Sequence, residues 1–284
     1  MVIKSTIRKP KWLKVKLPTG KAYKTVKNVV KGNSLHTICE SGHCPNIGEC
    51  WGEGTATFMI LGNICTRSCG FCSVATGRPL LVDINEPKRV AESIKLMKVK
   101  HAVITSVDRD DLKDGGAEMW VKTINEIRKL NPTTTMETLI PDFKGRAIDI
   151  QKIIDVAPDL VSHNLETVRN LTKKVRIQAK YDRSLDTLKI LNDGGMKTKS
   201  GIMLGLGEKE GEVIDTMYDL YNIGVSVFTM GQYLQPSVKH LPVIEFVEPK
   251  KFQKLKEIGL DIGFRYVESG PLVRSSYHAE KHLI

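Results

Sequence analysis

Six times along the chain a short apolar, β-branched run gives way to an amphipathic segment of helical period, and no other feature limits the fold as much. The runs are "ATFMILG", "HAVITS", "TTMETLI", "DLVSHN", "KSGIMLGL" and "VSVFTMG". Between them, Val90, Ile94 and Met97 share one helical face, as do Trp120, Ile124 and Ile127, and later Val213, Met217 and Leu220. Repeated strand-helix units predict an α/β architecture, a parallel sheet with helices outside it. A dinucleotide-binding doubly wound sheet would carry a Gly-rich turn, but "GLGEKEG" misses G-x-G-x-x-G in its last interval and no Gly-Lys-Ser/Thr loop occurs. Barrel-like closure, with chemistry on the loops at the carboxyl ends of the strands, is the expectation.

The chemistry is signalled by cysteine. All six cysteines lie between Cys39 and Cys72, whereas ordinary small core residues would be scattered. No apolar run is long enough to cross a bilayer, and "MVIKSTIRKPK" places charge where a signal peptide needs an apolar stretch. A cytosolic chain with no membrane partner is expected, and in a reducing compartment clustered thiols are metal ligands before they are disulfides. "CTRSCGFC" offers Cys65, Cys69 and Cys72 directly after the first strand; "CESGHCPNIGEC" offers Cys39, Cys44 and Cys50. An iron–sulfur cube takes four ligands, so each triad leaves one iron open, as catalytic metal sites do. Zinc, aided by His36 or His43, is the competing assignment; it is weakened because only one C-x-x-C pair is present.

Charge is localised too. Residues 1–39 hold ten Lys or Arg and no acid, which leaves the rest of the chain close to neutral. Such an arm is a solvated lysine-rich face or an electrostatic contact for an acidic partner. A basic nucleic-acid-binding protein with structural zinc is the rival from another class; two iron–sulfur cubes and no nucleic acid is the expectation kept here.

The C-x-x-x-C-x-x-C spacing of "CTRSCGFC" resembles that of radical S-adenosylmethionine enzymes, which are built on partial or complete barrels of strand-helix units. From about Lys9 to Glu280 the chain is similar to the lipoyl synthase family, through "KPKWLKVKLPTG", "CPNIGECW", "TATFMILG", "VITSVDRDDLKDGGA", "PDFKG", "HNLETV", "TKSGIMLGLGE", "GQYLQPS" and "RSSYH". The resemblance implies a partial (β/α)6 TIM-type barrel over residues 55–245. Before it stands a basic arm and cysteine-rich extension, 1–54; after it come a helix, a strand and a tail over the barrel mouth, 246–284. It also implies two 4Fe–4S clusters. Cys65, Cys69 and Cys72 would hold the first, whose fourth iron is chelated by S-adenosyl-L-methionine. Cys39, Cys44 and Cys50 would hold the second, with Ser276 of "RSSY" as the fourth ligand.

The implied reaction is radical insertion of two sulfur atoms, at carbons six and eight, into an octanoyl group on a lysine of a lipoyl domain or glycine cleavage carrier protein. The second cluster would be the sulfur donor. An electron donor such as a ferredoxin or flavodoxin and an iron–sulfur cluster carrier would be needed. A biotin synthase-like enzyme shares the chemistry, but the upstream triad and "RSSY" argue against it. For the cofactor, the resemblance points to Asn164 and Glu166 in "SHNLET" for the ribose and to backbone near Gly115 and Gly116 in "DGGAE" for the methionine amino group. It points to Arg183 in "YDRSLDTL" for the carboxylate, although pairing of Arg183 with Asp182 or Asp186 is as reasonable. Asp108, Arg109, Asp110 and Asp111 either line the site or form a solvated turn. His163 and His278 are expected to be ordinary hydrogen-bonded histidines.

Overall fold

In the computed structural model, which describes residues 8–15, 21–33, 35–42, 44–52 and 57–283, the two periods of the sequence resolve into strands and helices in alternation. The extension contributes α1 (Lys21–Gly32), β1 (His36–Thr37), α2 (Ile38–Ser41) and α3 (Ile47–Gly52). Then follow β2 (Thr57–Ile60), the short β3 (Ile64–Cys65) and β4 (Ala75–Thr76), α4 (Glu86–Met97), β5 (His101–Ser106), α5 (Ala117–Leu130), β6 (Thr135–Leu139), α6 (Ala147–Val156) and β7 (Leu160–Ser162). The chain continues through α7 (Arg169–Val175), α8 (Tyr181–Asp193), β8 (Thr198–Leu204), α9 (Glu210–Asn222), β9 (Val227–Gln232), α10 (Pro249–Ile262) and β10 (Tyr266–Gly270). No helix among the described residues is long and apolar enough to cross a membrane.

The main sheet runs β1-β2-β5-β6-β7-β8-β9-β10. Every neighbour from β2 to β10 is parallel; only β1 is antiparallel, pairing His36 with Met59 and Thr37 with Phe58. β1 and β10 are the two ends of the sheet, so the barrel is partial. The six expected strands are present, and β10 makes a seventh parallel one. "YVESG" is short, polar and mostly half-buried, so it lacks the apolar signature of a buried strand.

Alternation decides which side chains see the interior. Phe228 and Met230 of β9 join Val213, Met217, Phe252 and Leu255 in the core beneath the helices, so Val227, Thr229 and Gly231 face inward. On the other side, Trp120, Ile124 and Ile127 of α5 and Val90 and Ile94 of α4 form a core that also takes in Val26, Val30 and Trp51 of the extension. Trp51 stacks on Tyr23 at 5.3 Å. The extension is thus packed against the barrel rather than hanging from it.

The tail departs from the expected position. It begins at the carboxyl end of β10, but its last turn, Ala279–Leu283, lies at the amino ends of the strands, where Lys197 Nζ donates to Leu283 O (3.1 Å) and His282 meets the Tyr266 ring (5.7 Å). It gets there on the inner face: a Cβ on Gly231 would stand 2.1 Å from Val273 O, so only glycine lets the tail pass. The cause is the unclosed barrel, whose interior would otherwise be left unfilled at its amino end.

Candidate active site

Leu61 and Gly62, with φ of 68° and 88°, turn the chain sharply at the end of β2. The buried Glu86 carboxylate holds that turn by accepting Leu61 N at 2.6 Å and Gly62 N at 3.3 Å. The chain is thereby aimed into β3, where Cys65 Sγ accepts the backbone N–H of Arg67 (3.4 Å) and of Asp108 (3.3 Å). Such bonds to sulfur set the potential of a thiolate-held cluster. The other two cysteines follow in a turn closed by Cys72 N to Cys69 O, 3.1 Å. Two neighbouring loops clamp this turn. Gly70 N donates to Val175 O (2.9 Å) and Gly70 O accepts Leu241 N (2.9 Å), while His240 Nε2 donates to Cys72 O at 2.9 Å.

Inside the motif, Arg67 is the hub. Its side chain is 3% exposed and meets Asp108 (3.2 Å), Asp110 (2.7 Å) and Asp142 (2.6 Å), which tie the cysteine loop to the loops after β5 and β6. Burial alone would raise the Asp142 pKa, yet Arg67 holds it well below the usual carboxylate range. Asp108 goes the other way: burial pushes it up to about 6, against the pull of Arg67. The charge-dense loop is therefore the scaffold of the cysteine motif rather than a solvated turn. Burial also raises the thiols, Cys69 to about 12 and Cys72 to about 11, and raises Cys65. A thiolate here needs a positive centre beside it, which a metal cluster supplies.

Asn164 and Glu166 sit just past β7. Asn164 Nδ2 donates to Glu166 Oε1 (3.1 Å), and Asn164 Oδ1 is buried without a partner. Glu166 is in the left-handed region at φ 64°, fixed by Glu166 N to Gly201 O and Met203 N to Glu166 O, both 2.9 Å. The interior opens beside them because Gly201 has no side chain; a Cβ there would lie 2.2 Å from Thr229 Oγ1. Gly115 and Gly116 have reasons of their own, with φ of 62° and 91° and with Phe143 and Leu61 pressed against the places of their missing Cβ atoms.

Arg183 does not turn toward the cysteines. Its Nη1 pairs with Asp142 Oδ2 at 3.3 Å, and its aliphatic stem lies over Gly145. Asp182, its expected alternative partner, is taken by Arg169. Arg176 belongs to none of the motifs quoted above. This buried guanidinium donates to Leu165 O and Ser184 Oγ, both 3.1 Å, and among the described residues no carboxylate lies within ion-pair distance. Burial raises Cys69, Glu166 and Asp108, and the charge of Arg176 opposes that rise at all three, so it is felt at both the cysteine loop and the ribose candidates. His163 completes the arrangement: Nδ1 donates to Ile140 O (2.9 Å), so Nε2 accepts from Ser184 Oγ (2.9 Å), leaving the hydroxyl oxygen free to accept Arg176. Burial, then the charge of Arg176, lowers His163 to about 4, so the ring stays neutral, an ordinary bonded histidine as expected.

The upstream cysteines meet the tail in a second place. Thr37 caps α2 by accepting Glu40 N (3.3 Å), Cys44 N donates to Cys39 O (3.0 Å) and Cys50 N to Asn46 O (2.9 Å), so α2 and α3 fold the triad into a compact cup. Asn46 Nδ2 reaches across to Leu272 O at 2.7 Å. One cavity results, lined by Cys39, Cys44, Cys50 and Ser276 together with Arg274 and Thr57. Burial lifts Cys39 to about 11 and also raises Cys44, which Arg274 partly offsets. His36 is not among the lining residues, and His43 lies outside the described residues. His278 pairs at 3.6 Å with Glu280. Among the described residues no three His, Cys, Asp or Glu side chains converge as ligands of one ion would.

Residues 59–220 match the radical SAM superfamily, and residues 3–44 match the N-terminal domain of lipoyl synthase. The chain is 67% identical over 276 residues to the lipoyl synthase of Christiangramia forsetii, covering 97% of this chain and 94% of that protein. It is 65% identical over 276 residues to the mitochondrial lipoyl synthase of Nematostella vectensis, covering 97% and 95%. A solved methylornithine synthase shares the fold at 13% identity, with a TM-score of 0.56 over 91% of this chain and 84% of that one. With the cysteine motif at the end of the first barrel strand and this likeness along its length, the chain belongs to the lipoyl synthase family of radical S-adenosylmethionine sulfurtransferases.

Proposed function

We propose that this chain inserts two sulfur atoms, at carbons six and eight, into an octanoyl group carried on a lysine of a lipoyl domain or glycine cleavage carrier protein. The observation that supports this most is the single cavity shared by Cys39, Cys44, Cys50 and Ser276, three soft donors and one hydroxyl drawn from opposite ends of the chain. Hydroxyl oxygen is the harder donor, hence the weaker partner for iron–sulfur iron, which suits a centre that is to be dismantled. When bound, two 4Fe–4S clusters and S-adenosyl-L-methionine supply one-electron cleavage of a sulfonium, hydrogen abstraction from unactivated carbon, and sulfide.

The chain's own residues do the rest. Cys65, Cys69 and Cys72 hold the first cluster on a loop that Arg67 keeps rigid. Asn164 and Glu166 bind the ribose hydroxyls, the unpartnered Asn164 Oδ1 taking one of them. Arg176, not Arg183, receives the methionine carboxylate, because its guanidinium is buried without an acid while Arg183 already has Asp142. Backbone near Gly115 and Gly116 approaches the amino group. Cys39, Cys44, Cys50 and Ser276 hold the second cluster. A ferredoxin or flavodoxin delivers the electron and a cluster carrier rebuilds the second centre. The chain works in the cytosol, where its six cysteines stay out of disulfides and available to metal.

The test is anaerobic reconstitution with an octanoylated carrier and mass analysis of the product. A gain of two sulfurs is expected; a carrier returned unchanged alongside released 5′-deoxyadenosine would refute the substrate.

A further inference from the structure

A buried charged network sits at the floor of the barrel, one strand over from Val103, which lines the cavity of the second triad. Lys199 and Glu137 are fully buried and face each other across the interior, with Lys199 Nζ 2.9 Å from both Glu137 oxygens. Ser162 Oγ donates to Glu137 Oε1 at 2.6 Å. An ammonium has three protons to place. Two go to Glu137, and the third goes to Nδ1 of His282, 3.2 Å away in the last turn of the tail. Lysine only donates, so this nitrogen must accept and the ring must be neutral. The Tyr266 ring meets the imidazole edge-on, and Ala279 and His282 are the buried residues of that turn.

His282 stands six positions beyond Ser276, and between them the chain reverses at His278, whose φ is 52°. The segment carrying the serine is therefore held on both sides: Leu272 O on Asn46 before it, Tyr277 Oη on Glu49 next to it, and, after it, His282 on Lys199 with Leu283 O on Lys197. Releasing His282 would leave one proton of a buried ammonium without a partner, which is costly in a dry interior. We propose that His282 is a positioning residue, a bolt that fixes the tail to the barrel floor and so sets Ser276 against the second cysteine triad. Ser276 can then leave its metal without the tail coming loose, and return to the same place. The proposal rests on the reading of Ser276 as the fourth donor.

The experiment uses the full-length, cluster-loaded protein under anaerobic conditions, with His282→Ala, His282→Gln and Ser276→Ala. Amide exchange of residues 271–283 reports on the bolt, and iron release to a ferrous chelator reports on the second cluster. His282→Ala is expected to exchange about ten-fold or more faster in the tail, the factor that loss of one hydrogen bond to a charged group predicts. It is also expected to give up the iron of one cube faster, while His282→Gln, which keeps an acceptor for Lys199, retains most of the protection on both readouts. An unchanged tail in His282→Ala overturns the bolt. A loosened tail with unchanged iron release overturns its role in placing Ser276. Iron release unaltered in Ser276→Ala refutes the serine as donor instead, and the exchange result then stands alone as evidence that the tail is bolted.

Discussion

Replacing Arg67 by Met, which keeps the length and apolar stem but removes the charge, isolates the hub of the cysteine motif. Three carboxylates lose their partner. Asp108 and Asp110 keep about a quarter of their side chains exposed and can be rehydrated, but Asp142 is fully buried. Breaking a buried pair by removing one member costs about 3–5 kcal/mol. Arg183 remains 3.3 Å from Asp142, so the lower figure, about 3 kcal/mol at pH 8, is expected. The pH dependence follows from sign. With Arg67 present, Asp142 titrates below its unfolded value, so its contribution is fully present above that value and is lost only as pH falls through the folded pKa. Without Arg67, burial dominates and the folded pKa rises above the unfolded one. The variant's deficit then shrinks as pH falls and the carboxyl takes up a proton, by about 1 kcal/mol or more between pH 8 and pH 5. Urea unfolding of the iron-free chain, followed by far-UV circular dichroism at both pH values, measures this. A deficit under about 1 kcal/mol, or one equal at the two pH values, would refute the hub.

Arg176→Leu should weaken S-adenosyl-L-methionine binding by about ten-fold or more, the loss of a charge-assisted contact, whereas Arg183→Ala should leave it within about two-fold; anaerobic equilibrium binding separates the two, and the reverse ranking would restore Arg183. Gly201→Ala should cost about 1–3 kcal/mol through overpacking against Thr229 Oγ1, with part of the loss recovered in the Gly201→Ala/Thr229→Ala double variant, as thermal unfolding would register. Cys44→Ala should abolish sulfur insertion while 5′-deoxyadenosine is still formed; loss of both in a folded protein contradicts the separation of the two triads.

What the sequence made legible was whatever repeats or is local. The faces Val90–Ile94–Met97, Trp120–Ile124–Ile127 and Val213–Met217–Leu220 turn inward as their 3.6-residue period requires, all buried but Met97, which is partly so, and the first triad follows its strand as read. Pairings over long separations were not legible. Arg183 looked like a ligand from its motif, but its partner Asp142 lies on another loop, and no local pattern reveals a contact across 41 positions. Arg176 did leave a faint signal: no acid lies within four residues of it, so a buried Arg there has no helical neighbour to neutralise it. The seventh strand, polar and at a sheet edge, carried no apolar signature and was expected only through the family resemblance, while the tail's descent into the barrel was hidden because a glycine's missing side chain, at Gly231, is what admits it.

The two triads are built for different lives. The first is hydrogen-bonded to elements of the barrel itself: the loop after β5, Val175 at the end of α7, and Leu241 after β9. Opening it means opening the sheet that every other element shares. The second is assembled from the two ends of the chain, an extension that packs into the core but shares only the two residue pairs of β1 with the sheet, and a tail joined by a few hydrogen bonds. Segments near chain termini with few backbone ladder bonds open at the lowest free energy. On the function proposed above, the second cluster is consumed and rebuilt, so it belongs where its walls can part without disturbing the barrel, and the first, which would survive every turnover, belongs where they cannot. On that reasoning, exchange of amides around Cys39–Cys50 should run faster than exchange around Cys65–Cys72 in the same iron-free protein. Equal protection of the two would mean that sacrifice of the second centre owes nothing to how loosely its walls are held.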